Sequence, residues 1–247
     1  MFVLRVASPA APRGVGGLEV EVEIVRAAAA AGVTPDVVAW IPSLGCLVTR
    51  TVPGRQVSTS DVLDLDVLAS VVGSIRAMHA CPLPGVDRSV FRDADDLRRM
   101  ALARGMAMPT TEPAATEAMH RLEAATEARM HRRVACHGDL RLEHLFLERE
   151  RVWIAEFRHA GGGDPFEDLG SVAAHLALSQ EQSEALLTFY FGQADDDARC
   201  GLVMARAAAD YLIAMRSLAE PSVVRHMQTV QARLGRVTAA AAEAGVD

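Results

Sequence analysis

The chain has 247 residues, enough for one sizeable core or two small lobes, and half of its residues are hydrophobic. Its formal net charge of -7 argues against nucleic acid or an anionic membrane as a partner. There is neither a signal-peptide pattern nor an apolar run of bilayer length, so we expect a cytoplasmic protein without a membrane partner. Lysine is absent, and every strongly basic side chain is therefore an arginine.

The first part of the chain reads as strands around one helix. Residues 2–6 form an apolar run typical of a strand, and 8–17 form a Pro- and Gly-rich connection. Residues 18–31 have helical composition and end at Gly32. Two further strands are predicted at 37–41 and 46–51, and the segment 51–55 predicts a hinge. We therefore expect a small N-terminal lobe (1–53) and a larger C-terminal lobe (54–247).

The larger lobe is predicted to be mainly helical. Ser60 or Asp61 is a candidate cap for a helix that runs to about residue 79. One helix and an exposed loop are expected in 87–116. Further helices are expected at 117–133, 169–178, 180–191, 195–218 and 221–244. Strands first and helices afterwards, with a strand–loop–strand unit between them, predict an α+β protein with a small β-rich lobe on a helical lobe.

The most informative segment is a polar loop bounded by short apolar runs. Residues 136–146 read Cys-His-Gly-Asp-Leu-Arg-Leu-Glu-His-Leu-Phe, and residues 152–157 read Val-Trp-Ile-Ala-Glu-Phe. This pattern resembles the catalytic and metal-binding segments of the aminoglycoside phosphotransferase and choline kinase family, whose fold is that of protein kinases. Residues 163–169 also resemble that family. There Asp164 is expected to cap a helix starting at Pro165, and Asp168 to bind the loop backbone.

The resemblance implies roles for four residues. Asp139 stands at the position of the catalytic base, and His137 would brace the loop through its ring. His144 stands where the family has a metal-binding Asn, and Glu156 where it has a metal-binding Asp. Both are candidate metal ligands. Imidazole suits softer metals than Mg²⁺, so a hydrogen bond within the loop is the alternative for His144.

The resemblance also implies a nucleotide site in the N-terminal lobe. Arg5 stands where the family has the Lys that clamps the nucleotide phosphates, and Glu21 where a helix Glu pairs with it. Thr49 and Thr51 lie beside the predicted hinge and are further candidates for cofactor binding. The family's glycine-rich hairpin precedes the clamp strand, which here starts at Phe2, so the resemblance is to an N-terminally truncated member.

Three functions remain open from the sequence. An active enzyme would use ATP and Mg²⁺ to phosphorylate a hydroxyl of a small molecule, and an acidic cleft for a cationic substrate would suit the net charge. The altered metal and phosphate positions instead favour a catalytically impaired, pseudokinase-type binding or scaffold module. The third function combines these two: a kinase subunit of a biosynthetic pathway that is active only with a partner protein.

Overall fold

A small antiparallel sheet and one helix form the N-terminal part. The computed structural model describes residues 1–6, 17–129, 131–219 and 227–246. The sheet has the strand order β1–β3–β2 and consists of β1 (Phe2–Val6), β2 (Val37–Ile41) and β3 (Cys46–Arg50). Helix α1 (Gly17–Ala30) buries Glu21, Ile24, Val25 and Ala28, the spacing of one helical face. The predicted strands and helix are confirmed, and the predicted connection at 8–17 lies outside the described residues except for its last residue.

Two further small sheets carry the polar loop. One has the order β4–β6–β7 and consists of β4 (Arg55–Gln56), β6 (Leu145–Glu148) and β7 (Arg151–Ile154). The other pairs β5 (Val134–Cys136) with β8 (Gly161–Gly163), antiparallel. The loop after β5 is therefore fixed at both ends by sheet pairing. The lobe boundary at residue 53 stays a prediction.

Helices form most of the remaining structure. They are α2 (Leu65–His79), α3 (Val90–Ala103), α4 (Glu112–Ala128), α5 (Pro165–His175), α6 (Gln180–Phe191), α7 (Asp196–Ala219) and α8 (Met227–Glu243). Helix α7 is central and packs against α3, α5 and α8. None of the described helices is long and apolar enough to cross a bilayer. The predicted α+β architecture, a small β-rich part on a helical part, is confirmed.

The predicted cap of α2 at Ser60 or Asp61 is wrong. The cap is Asp64, whose carboxylate accepts the backbone N–H of Asp66 at 2.9 Å. The Asp61 carboxylate is already used, because both of its oxygens accept hydrogen bonds of 2.6 Å from the Arg55 guanidinium. The Asp61 carboxylate is therefore bound within the turn before α2 and is not available as a helix cap.

The predicted bounds of two other helices, α4 and α5, also change. The helix predicted at 169–178 is α5, which begins at Pro165 and ends at His175. Helix α4, predicted at 117–133, begins at Glu112 and ends at Ala128. Pro113 is compatible with this start, since the first helical turn needs no N–H there. The side chain of Glu112 pairs with Arg98 and accepts a hydrogen bond of 2.7 Å from Thr116. The helix predicted at 221–244 is described from Met227 onward, and residues 221–226 lie outside the described residues.

Candidate active site

His137 holds the loop that follows β5. Its Nε2 donates to the backbone oxygen of Ala155 at 2.8 Å, and its Nδ1 accepts the backbone N–H of Asp139 at 3.2 Å. Burial lowers the pKa of the His137 imidazole, so the ring is neutral and one nitrogen can accept. The predicted bracing role of His137 is confirmed.

A buried carboxylate, Asp168 of α5, anchors the same loop. It accepts the backbone N–H of His137 at 2.7 Å and that of Gly138 at 2.8 Å. His79 lies 2.9 Å from the same carboxylate and contacts the Tyr190 hydroxyl through its other nitrogen at 2.6 Å. Burial opposes ionisation, but His79 and the Gly138 N–H lower the pKa of Asp168 to about 2. The predicted tie between Asp168 and the loop backbone is confirmed.

Asp139 is buried and faces two arginines. Arg216 Nη1, from α7, donates to Asp139 Oδ1 at 2.6 Å, and Arg141 Nε lies 3.2 Å from Oδ2. Burial alone would raise the pKa of the Asp139 carboxyl, but Arg216 and Arg141 hold it well below its usual range. Asp139 is therefore ionised at physiological pH and is a weak base, suited to orienting a hydroxyl.

His144 lies between Asp139 and Glu156. Its Nδ1 is 2.7 Å from the backbone oxygen of Asp139, an acceptor, so Nδ1 carries the proton. Its Nε2 then presents its lone pair to Arg141 Nη2 at 3.3 Å. The loop hydrogen bond considered for His144 is present, and a metal at Nε2 would have to displace Arg141. A ligand role for His144 stays a prediction.

Glu156 occupies a left-handed backbone position after β7. Its φ of 67° and ψ of 68° are uncommon for a residue with a Cβ. Glu156 Oε2 accepts hydrogen bonds from Arg158 at 2.6 and 3.2 Å. Burial would raise the pKa of Glu156, but Arg158 and Arg5 lower it, so the group is a carboxylate.

A cleft of about 260 Å³ lies beside Glu156 and is lined by the residues predicted to bind the nucleotide. Arg5, Glu21, Thr49 and Thr51 all line it. The predicted ion pair between Arg5 and Glu21 is present, with the Glu21 side chain almost fully buried. Sequence reasoning missed other residues that line the cleft, which are Val3, Val25, Thr34, Leu47, Arg50, Val52, Glu143, Phe146, Ala155 and Phe157.

The cleft offers the donor set of a hard divalent cation. Mg²⁺ is bound in proteins through one or two carboxylates, with water and substrate phosphates completing the shell. Glu143 and Glu156 both line the cleft, and more than a third of the Glu156 side chain is exposed. The carboxylates present therefore fit such an ion, whereas His144 is already used within the loop.

Four further side chains near Asp139 were also missed from the sequence. They are Arg141, His159, His175 and Arg216. Arg216 lies in α7, and a basic residue on a long helix is usually solvated, so no sequence signal marks Arg216 as a site residue. Arg141 lies inside the loop motif, at a position to which the resemblance assigned no role.

Comparisons with known proteins identify the family and the fold of the chain. A sequence model of the phosphotransferase enzyme family matches residues 1–202. A choline/ethanolamine kinase family protein from Mesorhizobium loti has a TM-score of 0.77 and 23% identity, over 98% of this chain and 82% of that chain. No curated protein sequence matches the chain.

Two more distant structures share the fold. A choline kinase from Streptococcus pneumoniae has a TM-score of 0.77 and 11% identity, over 98% of this chain and 86% of that chain. An amicoumacin kinase, solved with AMP-PNP, Ca²⁺ and Ami, has a TM-score of 0.63 and 13% identity, over 98% of this chain and 81% of that chain. At such identities the likeness establishes the kinase-like fold.

Proposed function

The chain belongs to the phosphotransferase enzyme family, and on that premise we propose that it transfers the γ-phosphoryl group of ATP to a hydroxyl of a small molecule. The observation that carries the proposal is the cleft beside Glu156. Arg5, Glu21 and the neighbouring Thr49 and Thr51 come from three separate segments of the chain, yet all four line one space with this carboxylate. Phosphoryl transfer depends on such positioning and electrostatic stabilisation.

Each part of the cleft has a proposed task. Apolar side chains such as Val25, Leu47 and Phe146 would contact the adenine ring. Arg5, oriented by Glu21, would bind phosphate oxygens with its planar guanidinium. That the amicoumacin kinase holds AMP-PNP and Ca²⁺ supports a nucleotide and a divalent metal here.

Glu156 is the proposed metal ligand, with Mg²⁺ as the proposed ion. A divalent cation supplies positive charge that neutralises the phosphate oxygens during transfer. Glu156 would have to exchange its contact with Arg158 for the metal, which is feasible because this ion pair is half-exposed and weak.

Asp139 is proposed to orient the acceptor. The acceptor oxygen forms a bond to the γ-phosphorus, and the bond from that phosphorus to the β,γ-bridging oxygen of ATP breaks, which releases ADP. The hydroxyl proton leaves through the Asp139 carboxylate to solvent. A carboxylate with a low pKa accepts the hydroxyl hydrogen bond at all physiological pH values without holding the proton.

A second candidate function is a catalytically impaired binding module. Both carboxylates expected to support catalysis are engaged by arginine, Asp139 by Arg216 and Glu156 by Arg158. A protein that kept these pairs in all states would bind a nucleotide or a partner protein without turnover. A kinase subunit that needs a partner protein would break these two ion pairs only in the complex with that partner.

Calorimetric titration with ATP, with and without Mg²⁺ or Mn²⁺, tests the proposal. We expect metal-dependent binding that Glu156→Gln weakens at least tenfold, because the variant loses the anionic ligand. Glu150→Gln is the matched control, since Glu150 is exposed at the turn between β6 and β7 and outside the cleft. Asp139→Asn should bind ATP normally and lose ADP formation with any acceptor.

The outcomes separate the candidates. Metal-independent ATP binding that is equal in the wild type and Glu156→Gln would contradict the metal site. Absence of ATP binding by a folded chain would contradict the enzyme. Binding without ADP formation across a hydroxyl-compound screen would favour the impaired module.

A further inference from the structure

The acceptor side of Asp139 is cationic. The Arg216 side chain is mostly buried, and its Nη1 lies 2.6 Å from Asp139 Oδ1. Arg141 lies on the other carboxylate oxygen, with its Nε 3.2 Å from Oδ2 and a third of its side chain exposed. Two positive charges therefore face one negative charge where the acceptor hydroxyl is proposed to bind.

Arg141 also has an unmet hydrogen-bonding group. Its Nε is buried and has no hydrogen-bond partner among the described residues. The 3.2 Å approach to Asp139 Oδ2 does not satisfy it, because the geometry is not that of a hydrogen bond. A buried guanidinium N–H without an acceptor is costly, so Asp139 does not fully satisfy Arg141. The exposed third of the Arg141 side chain is the part that an anionic ligand could contact.

The other groups around Asp139 offer donors or further positive charge. Burial lowers the pKa values of His159 and His175 to about 4, so both rings are neutral at physiological pH. The buried carboxylate of Asp168 is engaged by His79 and by the loop N–H groups. That of Asp210, which lies in α7 like Arg216, is bound by Arg233 and by two hydrogen bonds of 2.8 and 2.9 Å from Arg236. Neither Asp139 nor Asp210 is left free to attract a cation.

We propose that the acceptor carries an anionic group, a carboxylate or a phosphate, next to the hydroxyl that is phosphorylated, and that Arg216 and Arg141 bind this group. The inference rests on the proposed function and names its acceptor class. It replaces the expectation of an acidic cleft for a cationic substrate, since the side chains that pair with Asp139 carry two positive charges against its one negative charge.

The same contacts connect acceptor binding to catalysis. An acceptor anion that takes a hydrogen bond from Arg216 releases Asp139 Oδ1 for the acceptor hydroxyl. The hydroxyl oxygen then bonds to the γ-phosphorus, ADP leaves with the bridging oxygen, and the proton leaves through Asp139. Arginine suits this exchange because its fork of donors binds carboxylate or phosphate in two-point geometry.

Calorimetry of the full chain with four probes tests the acceptor class. D-Glycerate carries a carboxylate and glycerol 3-phosphate a phosphate, whereas glycerol is neutral and choline is cationic. We expect at least one anion to bind at least tenfold more tightly than glycerol and choline. The two anions together show whether carboxylate or phosphate is the group recognised.

Variants assign the binding to the two arginines. Arg216→Gln should weaken binding of the preferred anion at least tenfold and raise its KM more than it lowers kcat, while ATP affinity stays unchanged. Arg26→Gln, an exposed arginine of α1, is the matched control and should leave anion binding unchanged. Arg216→Lys and Arg141→Gln provide the same comparison if Arg216→Gln does not fold.

Three results would overturn the inference: choline binding more tightly than both anions, no anion binding by the wild type, or equal anion binding by the wild type and the arginine variants. ATP affinity, measured separately, tests the proposed function. Anion binding without ATP binding would refute the phosphotransferase and leave the anion site standing. ATP binding without anion binding would refute the anion site and leave the phosphotransferase standing.

Discussion

Replacing Asp168 by Asn is expected to destabilise the protein and loosen the loop that carries Asp139. Asp168 is fully buried, and its two oxygens accept the backbone N–H groups of His137 and Gly138 and contact His79. Asn is nearly isosteric but has only one acceptor atom. Its NH₂ group would face a donor, and at least one buried N–H would lose its partner.

The structure sets the expected magnitude. The pKa of Asp168 is lowered from 3.8 to about 2, and a shift of this size corresponds to roughly 2–3 kcal/mol of stability in favour of the ionised form. An unsatisfied buried N–H costs roughly 1–3 kcal/mol, which overlaps with this value because the Gly138 N–H is one cause of the pKa shift. We therefore expect Asp168→Asn to lower the free energy of unfolding by about 2–4 kcal/mol.

Urea denaturation at pH 7 measures this change, with Asp36→Asn as the matched control because Asp36 is exposed. The native pKa of Asp168 is depressed, so its contribution is complete above its unfolded pKa near 4 and is lost as the pH falls towards 2. The difference in the free energy of unfolding between the wild type and Asp168→Asn should therefore shrink as the pH falls from about 4 towards 2. A loss below about 1 kcal/mol at pH 7 would refute the anchoring role.

Two further predictions concern packing and the metal site. Gly170→Ala should destabilise by roughly 1–3 kcal/mol, because its Cβ would clash with the backbone carbonyl group of Ala205 in α7. Gly73→Ala, in an open position of α2, should stabilise by roughly 0.5–1 kcal/mol, and urea denaturation of both variants checks the opposite signs. Arg158→Gln should tighten metal-dependent ATP binding by up to about fivefold in calorimetry, since it frees Glu156 from a half-exposed ion pair worth at most about 1 kcal/mol. Unchanged metal dependence would argue against Glu156 as the ligand.

The sequence predicted those features that depend on short-range pattern. The apolar run at 2–6 and the spacing of buried residues before Gly32 each define an element by themselves. The contacts of His137 and Asp168 followed from a motif in which residue types recur at fixed spacing. The ion pair between Arg5 and Glu21 was predictable because both residues stand at positions that form a pair in the family that the sequence resembles.

Features that depend on competing or distant contacts were not predictable. Asp61 looked like a cap, but Arg55 binds its carboxylate, and no propensity rule ranks those two uses. Arg216 reaches Asp139 only because α7 packs against the loop-bearing part of the fold. On sequence alone it is one arginine among many on helical segments.

The proposed acceptor class illustrates why the net charge of a chain is a poor guide to the charge of one site. The net charge of -7 describes the whole chain, whereas the interactions at Asp139 act over a few ångströms in a poorly solvated region, where screening is weak. There Arg216 and Arg141 outweigh a single carboxylate. On the proposed mechanism, an acceptor anion neutralises this excess and frees Asp139 in the same step. Water lacks the anionic group and would leave the ion pair intact, so ATP hydrolysis should stay slow until the acceptor binds.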